Sequence, residues 1–361
     1  MLLKRILCLV FALVFSVSSV NAVGESKIEV SAVSAILYCP DNNEILYQKS
    51  AHKKMAIASI TKIMTAIIAL ECEDKEVKFD YSMIAEGSSM YLKVGDVIKI
   101  SELVKGMMMV SGNDAANAIA IALGGSMEKF ADMMNKKADS LGMKNTHFVT
   151  PSGLDDELHY STAYDMALLC SYAMQNENFR NIVSQKSMSV EFISPDGQKM
   201  TYRNHNKLLS LYDGCIGIKT GFTKKAGRTL TSCAERNGIR LIAVTLNDGN
   251  DWNDHISMYD YGFSQIENIS LCDSQKIFEL PVVGSKKQII KVIPKENCCV
   301  SVLKNQKENI SEKIYMPHFV YAPVEKNKII GEVRYYIDNK MICKTDLITS
   351  ENCLYDNERN I

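Results

Sequence analysis

Ala58-Ser59-Ile60-Thr61-Lys62-Ile63-Met64-Thr65-Ala66-Ile67-Ile68-Ala69-Leu70 reads as a buried helix. Ile, Ala and Met run through it without a break, and Lys62 is its one charged residue. Ser59 stands at its opening. On a helix, residues three apart share a face, so Lys62 can stand beside the Ser59 hydroxyl. A helix N-terminus also offers unpaired backbone N–H groups where an oxyanion could be held. A serine hydroxyl becomes a nucleophile only when a base takes its proton. Lysine serves as that base if desolvation or a neighbouring cation lowers its pKa.

On either side of this helix the chain alternates in texture. Before it, apolar runs Ala32–Tyr38 and Ile45–Gln48 flank the turn-forming Pro40-Asp41-Asn42-Asn43, which predicts a β-hairpin. After it come predicted helices over Ser101–Val110, Asp114–Leu123, Ser126–Leu141 (stopped by Gly142) and Thr162–Met174, the last opened by Thr162 and Asp165 as a capping pair. Ser111-Gly112-Asn113 falls in the break between the first two. From Ile193 strands are expected, with a turn at Ser194-Pro195-Asp196-Gly197, then Cys215–Lys219, Arg228–Ala234 and Ile239–Leu246. This order predicts an α/β (α+β) body with helices packed on a mainly antiparallel sheet. From about 268 to 349, β-rich runs at Ile289–Ile293, Val300–Leu303 and Ile329–Ile337, punctuated by Pro281, Pro294, Pro317 and Pro323, predict a small all-β, sandwich-like domain. Residues 350–361 read as a polar, frayed tail.

Length and charge fit this division. The chain has 361 residues, 47% hydrophobic and 23% charged, with a formal net charge of −1. That gives no electrostatic reason to expect nucleic acid. Residues 1–22 read as a secretory signal peptide: Lys4 and Arg5, an apolar run Ile6–Val20, then Val20-Asn21-Ala22 as the cleavage site. That run is short for a bilayer span, which needs about 20 residues. The expected location is therefore extracytoplasmic, secreted or at the wall and outer membrane face. Eleven cysteines are present, ten after Cys8. None forms a C-x-x-C pair or a metal-ligand spacing, and most are expected as small buried hydrophobes.

Three short motifs carry chemistry. Ser-x-x-Lys occurs four times, starting at Ser50, Ser59, Ser126 and Ser301; Ser-x-Asn three times, at Ser19, Ser111 and Ser350; Lys-Thr-Gly once, at 219–221. Each alone has an ordinary alternative: a helix cap, a loop, a solvated strand end. Context selects Ser59 because it opens a long apolar helix. Ser111 and Asn113 lie where a hydroxyl and an amide can face a cleft. Lys219 and Thr220 follow a predicted strand and can hold a carboxylate, while Gly221 lets a substrate backbone approach. Lys219 is also the candidate cation for lowering the Lys62 pKa.

Together and in this order the motifs resemble those of β-lactamases and penicillin-binding proteins. Ala58–Ala66, Met109-Val110-Ser111-Gly112-Asn113-Asp114-Ala115-Ala116 and Gly217-Ile218-Lys219-Thr220-Gly221-Phe222-Thr223 resemble the low-molecular-mass penicillin-binding proteins that act as D-Ala-D-Ala carboxypeptidases, serine peptidase family S11. Asn145-Thr146-His147-Phe148 through Gly153-Leu154-Asp155, and Asn204-His205-Asn206-Lys207-Leu208-Leu209, match in character. The similarity spans roughly residues 30 to 265, and the tail domain resembles the family's C-terminal β domain. It implies a catalytic domain at 23–267 and a β domain at 268–349. It implies Ser59 as nucleophile, Lys62 as base and Ser111 as proton relay to the leaving D-Ala. Asn113 would bind the substrate amide, Lys219 and Thr220 the terminal carboxylate, with backbone N–H groups of Ser59 and Phe222 as oxyanion hole. The implied partners are the peptidoglycan stem peptide and β-lactam antibiotics as covalent inhibitors, with no cofactor and no metal.

Two departures stand out. The acidic end Glu351-Asn352-Cys353-Leu354-Tyr355-Asp356 is unlike an amphipathic membrane anchor, so peripheral membrane or wall association stays open. Some relatives place an arginine near the substrate carboxylate after the strand ending near Leu246. Asn247–His255 contains none, which would leave that task to Lys219 and Thr220. The alternatives are a class A-like β-lactamase, against which the lack of a Glu-x-x-Leu-Asn stretch counts, and a non-catalytic penicillin or stem-peptide sensor. A Gly-x-Ser-x-Gly elbow and a His-Glu-x-x-His pair are both absent, and His147, His159 and His205 are expected to be structural.

Overall fold

A computed structural model describes residues 28–356; the expected signal peptide lies outside them, as do residues 357–361. Strands β1 (Ser34–Cys39) and β2 (Glu44–Lys49) form the predicted hairpin. A 3-10 turn, Ala58–Thr61, runs into α1 (Lys62–Glu71), so the predicted helix is tighter at its opening than expected. A small hairpin of β3 (Glu76–Lys78) and β4 (Val97–Lys99) follows. Next come α2 (Ile100–Val110), α3 (Asn113–Gly124), α4 (Met127–Ser140), α5 (Ala163–Ala173) and α6 (Glu177–Val183). Hairpin β5 (Ser187–Glu191)–β6 (Lys199–Arg203) and the turn-length α7 (Leu208–Leu211) lead to β7 (Cys215–Thr223), β8 (Gly227–Arg236), β9 (Ile239–Leu246) and α8 (Asp251–Gln265).

The central sheet is antiparallel, in the order β2-β1-β9-β8-β7. Its inner strands are apolar on both faces because both faces are covered. Ile36, Tyr38, Ile242 and Val244 join the core built with α1, α2, α3 and α5. Their neighbours Ala35, Leu37, Leu241 and Ala243 pack instead with Met258 and Tyr259 of α8. Strand β7 is left at the edge, with one side unpaired in the ladder.

Three features go beyond the sequence expectations. Helix α8 starts in Asn250-Asp251-Trp252-Asn253-Asp254, a stretch assigned no element from the sequence. Asp251 and Asp254 occupy its first turn, where negative side chains complement the helix dipole. Helix α6 is only seven residues long, too short to show a period, and is capped by Asn176 accepting from Phe179 N. Strand β7 continues through Thr223 because its ladder with β8 runs on to Phe222↔Arg228 and Thr223↔Gly227. Thr220 and Gly221 therefore lie inside the strand rather than after it, and Lys219, expected at the strand's end, is interior.

The second region is all β. Strands β10 (Ile266–Cys272) and β13 (Cys298–Leu303) pair as a two-stranded sheet. Strands β11 (Phe278–Val283), β12 (Ile289–Pro294), β14 (Ile310–Tyr315), β15 (Val320–Tyr321), β16 (Ile329–Ile337) and β17 (Lys340–Thr349) form a six-stranded sheet ordered β14-β16-β17-β12-β11-β15. Cys272 and Cys298 of the small sheet share a core with Leu280, Ile290, Val292, Val333 and Leu347 of the large one. Residues 350–356, expected to fray, are tied down: Cys353 is buried and bridges Val324. All ten cysteines among the described residues are unpaired, and six of them are buried, the fate expected of small apolar side chains.

Candidate active site

The other Ser-x-x-Lys serines have local duties. Ser126 caps α4, accepting from Lys129 N at 3.2 Å; Ser50 is a turn residue and Ser301 lies in β13. Ser59 alone among the four has the amine of its lysine beside it: Lys62 Nζ is 3.0 Å from Ser59 Oγ. The turn that does this is strained. Ala58 has φ 50°, a left-handed conformation that costs a residue with a Cβ about 1 kcal/mol or more. Gly153 seats it. At Gly153 φ is +83°, and a Cβ there would fall 2.0 Å from Ala58 O and 2.7 Å from Thr61 Oγ1. The same loop is pinned to α1 by Thr65 Oγ1 donating to Pro151 O at 2.6 Å.

Lys62 is fully buried. Besides Ser59 it bonds Asn113 Oδ1 at 2.7 Å and Ser152 O at 2.6 Å. Burial holds its pKa well below the ordinary lysine value, the Lys219 charge adds to this, and Asp114 opposes it. A neutral amine has two N–H groups and one lone pair. With the N–H groups spent on Asn113 and Ser152, the lone pair faces the Ser59 hydroxyl. That is the geometry of a general base.

Ser111 ends α2 with φ 62°; it is nearly buried and lines the same cleft as Ser59. Asn113 does not face the cleft as expected. Its Oδ1 accepts from Lys62, its Nδ2 donates to Glu86 O at 2.7 Å, and it is 4% exposed. In this structure both polar atoms of its side chain are taken by protein partners, Lys62 and Glu86 O. Asp114 binds Ser89 Oγ and Met90 N, fixing the 88–92 loop over α3.

The opposite wall is β7. Lys219 is buried, its pKa pulled down to about 7 by desolvation. Thr231 Oγ1 donates to Lys219 O at 3.2 Å. Gly221 is required by closeness: a Cβ there would lie 2.9 Å from Ser59 N and 2.5 Å from Thr229 Oγ1. The cleft between the walls is about 540 Å³ and is lined by Ser59, Ser111, Thr220, Gly221, Phe222 and Arg228, among others.

Histidines divide. His159 Nδ1 accepts from Val149 N and Thr150 N, so its Nε2–H donates to Thr61 Oγ1 at 2.8 Å. Burial lowers its pKa to about 4; it is a neutral brace, as expected. His205 does reach the cleft, with its pKa lowered by burial and then by Lys219. Arg228, Asp251 and Trp252 also border the cleft. None of these was singled out from sequence, since each depends on which loop and strand face meet there. Among the described residues, no cluster of His, Cys, Asp and Glu could hold a metal.

A serine–lysine pair on a helix opening, facing the edge of an antiparallel sheet, defines a serine acyl-transferring hydrolase with a penicillin-binding/β-lactamase-like fold. Residues 20–250 match the family model for D-alanyl-D-alanine carboxypeptidase, and residues 268–353 that for the penicillin-binding protein 5 C-terminal domain. The chain belongs to this D-alanyl-D-alanine carboxypeptidase family, whose general mechanism is a serine acyl-enzyme. It is similar to the D-alanyl-D-alanine carboxypeptidase DacF of Bacillus subtilis, 31% identical over 91% of this chain and 87% of the relative. DacC of Escherichia coli is also 31% identical, covering 91% and 86%. Penicillin-binding protein 5 from Haemophilus influenzae superposes with a TM-score of 0.68 at 26% identity, covering 92% of this chain and all of that one.

Proposed function

We propose that the protein removes the terminal D-alanine from peptidoglycan stem pentapeptides, with Ser59 as nucleophile and Lys62 as its base. The observation that carries this is the buried Lys62 amine, 3.0 Å from Ser59 Oγ with its other two contacts already made. In the first step Ser59 Oγ attacks the penultimate D-Ala carbonyl as its proton passes to Lys62. The oxyanion is held by the backbone N–H groups of Ser59 and Phe222. Ser111 relays the proton to the departing D-Ala nitrogen, whose C–N bond breaks. Water then attacks the ester and regenerates Ser59. The substrate lies along the open edge of β7, its terminal carboxylate near Thr220 with Lys219 behind. Asn113 serves as a positioning residue for Lys62. β-Lactams, which present a similar acyl group and carboxylate, acylate the same serine.

Among the described residues lining the cleft, the one carboxylate is Asp251, and it is bound to Arg228. This favours slow hydrolysis of a penicilloyl ester over the rapid turnover of a β-lactamase. We further place the enzyme outside the cytoplasm after loss of residues 1–22, with the catalytic domain at 23–267, the β domain at 268–349 and a tail at 350–361. No helix among the described residues is long and apolar enough to cross a membrane.

The test is incubation of mature protein with a stem pentapeptide and, separately, with benzylpenicillin. Free D-Ala and a penicilloyl adduct on the Ser59 peptide, absent in Ser59→Ala, are expected. Fast repeated penicillin hydrolysis would mark a β-lactamase instead. Acylation without D-Ala release would mark a sensor.

A further inference from the structure

We propose that Arg228 is the residue that recognises the substrate's terminal carboxylate, acting from β8 with Asp251 as its positioning residue. The inference rests on the function proposed above and names the cation that its leaving group meets.

In the β7–β8 ladder Arg228 lies opposite Phe222. Opposed residues of an antiparallel pair project to the same face, and alternation puts Thr220 on that face too. Thr220 and Arg228 thus approach the mouth of the cleft together, and both line it with Ser59. Arg228 is held along one edge. Its Nε and Nη2 donate to the Asp251 carboxylate at 2.8 to 3.1 Å, and Asp251, in the first turn of α8, is only 3% exposed. The guanidinium also lies 5.5 Å from the Trp252 ring centroid.

A guanidinium has five N–H donors on a planar fork. Asp251 takes the Nε side; among the described residues none bonds Nη1, and the side chain is 43% exposed. A cation clamped this way meets a carboxylate with little further loss of side-chain freedom. The other cations of the site are poorly suited to the task. Lys62 is spent on Ser59, Asn113 and Ser152. Lys219 is buried, donates to Thr220 O at 3.0 Å, and near neutral pH is only partly charged. Arginine stays protonated throughout the working range.

The test compares two acyl-D-alanyl thioesters that differ in the leaving group: thioglycolate, which carries a carboxylate, and the matching uncharged thioglycolamide. The readout is the ratio of their kcat/KM values. Arg228→Gln is expected to reduce the preference for the thioglycolate by about 10- to 100-fold, the worth of a charge-assisted hydrogen bond. Arg228→Lys should restore part of it, and Asp251→Asn should reduce it less than Arg228→Gln does. If Arg228→Gln lowers both rates equally, or leaves the ratio within about twofold, the inference is overturned. In those two cases the unaltered protein still releases D-Ala from a stem pentapeptide, so the proposed function stands. If the unaltered protein releases none, that function falls and this inference with it.

Discussion

The two walls of the cleft are built on opposite terms. The helical wall, Ser59, Lys62, Asn113 and the 151–153 loop, buries its charge and gives every contact of Lys62 an internal partner. The strand wall is an open sheet edge where Phe222 is 66% exposed and Arg228 keeps one side of its guanidinium toward solvent. Chemistry needs a lysine with a lowered pKa in a fixed place, and desolvation with close packing provides that. Recognition needs unpaired strand edge and reachable cations, which burial would remove. The contrast explains why a buried lysine and a strained Ala58 sit on one side and a glycine and an arginine on the other.

The comparison can be broken by mutation, most severely at its centre. Ser59→Ala should lower kcat by about 10³-fold or more and abolish penicillin labelling, measured by D-Ala release and intact-mass analysis. Lys62→Met keeps the stem but removes the base, and should cost about 10²- to 10⁴-fold in the acylation rate constant.

The two lysines also separate by pH. Lys62 works deprotonated, so kcat/KM rises as pH rises through its lowered pKa. Lys219 adds positive charge behind Thr220 only while protonated, so kcat/KM falls modestly as pH rises past about 7, Arg228 keeping its charge throughout. Lys219→Arg should move that falling limb to higher pH, and an unmoved limb would reassign it. Stability follows the same shift. Between about 7 and 10.5 the folded Lys219 is neutral while the unfolded chain binds its proton, so folding stability rises with pH across that window. Lys219→Met should remove its share of this slope in urea melts at pH 7 and 10, leaving the part that Lys62 contributes.

Smaller effects sharpen the contrast. Gly153→Ala forces a Cβ to 2.0 Å from Ala58 O at φ +83° and should cost about 1–3 kcal/mol by thermal melting, with slower acylation. Phe222→Ala removes an exposed ring and keeps its backbone N–H, so kcat/KM should change by no more than about threefold. A loss as large as that of Gly153→Ala would mean the strand wall is as closely packed as the helical one.

Sequence alone determined the Ser59–Lys62 pair of the helical wall. An apolar run with one serine and one lysine three apart needs only helical periodicity to bring hydroxyl and amine together, and the Ser111–Asn113 break follows from the gap between two periodic segments. The three motifs, in order, also pointed to the family. What only the tertiary structure decided is whatever depends on partners distant in the chain. Asn113 turns from the cleft to Lys62 because α3 packs beside α1. Thr220 and Gly221 lie within β7 because the β8 ladder extends past them. Ser152 reaches Lys62 across 90 residues. Asp251, in a stretch assigned no element from the sequence, opens a helix and clamps Arg228 from 23 positions away. Local periodicity is written into neighbouring residues. Which strand face meets which helix end is set by how the whole core closes.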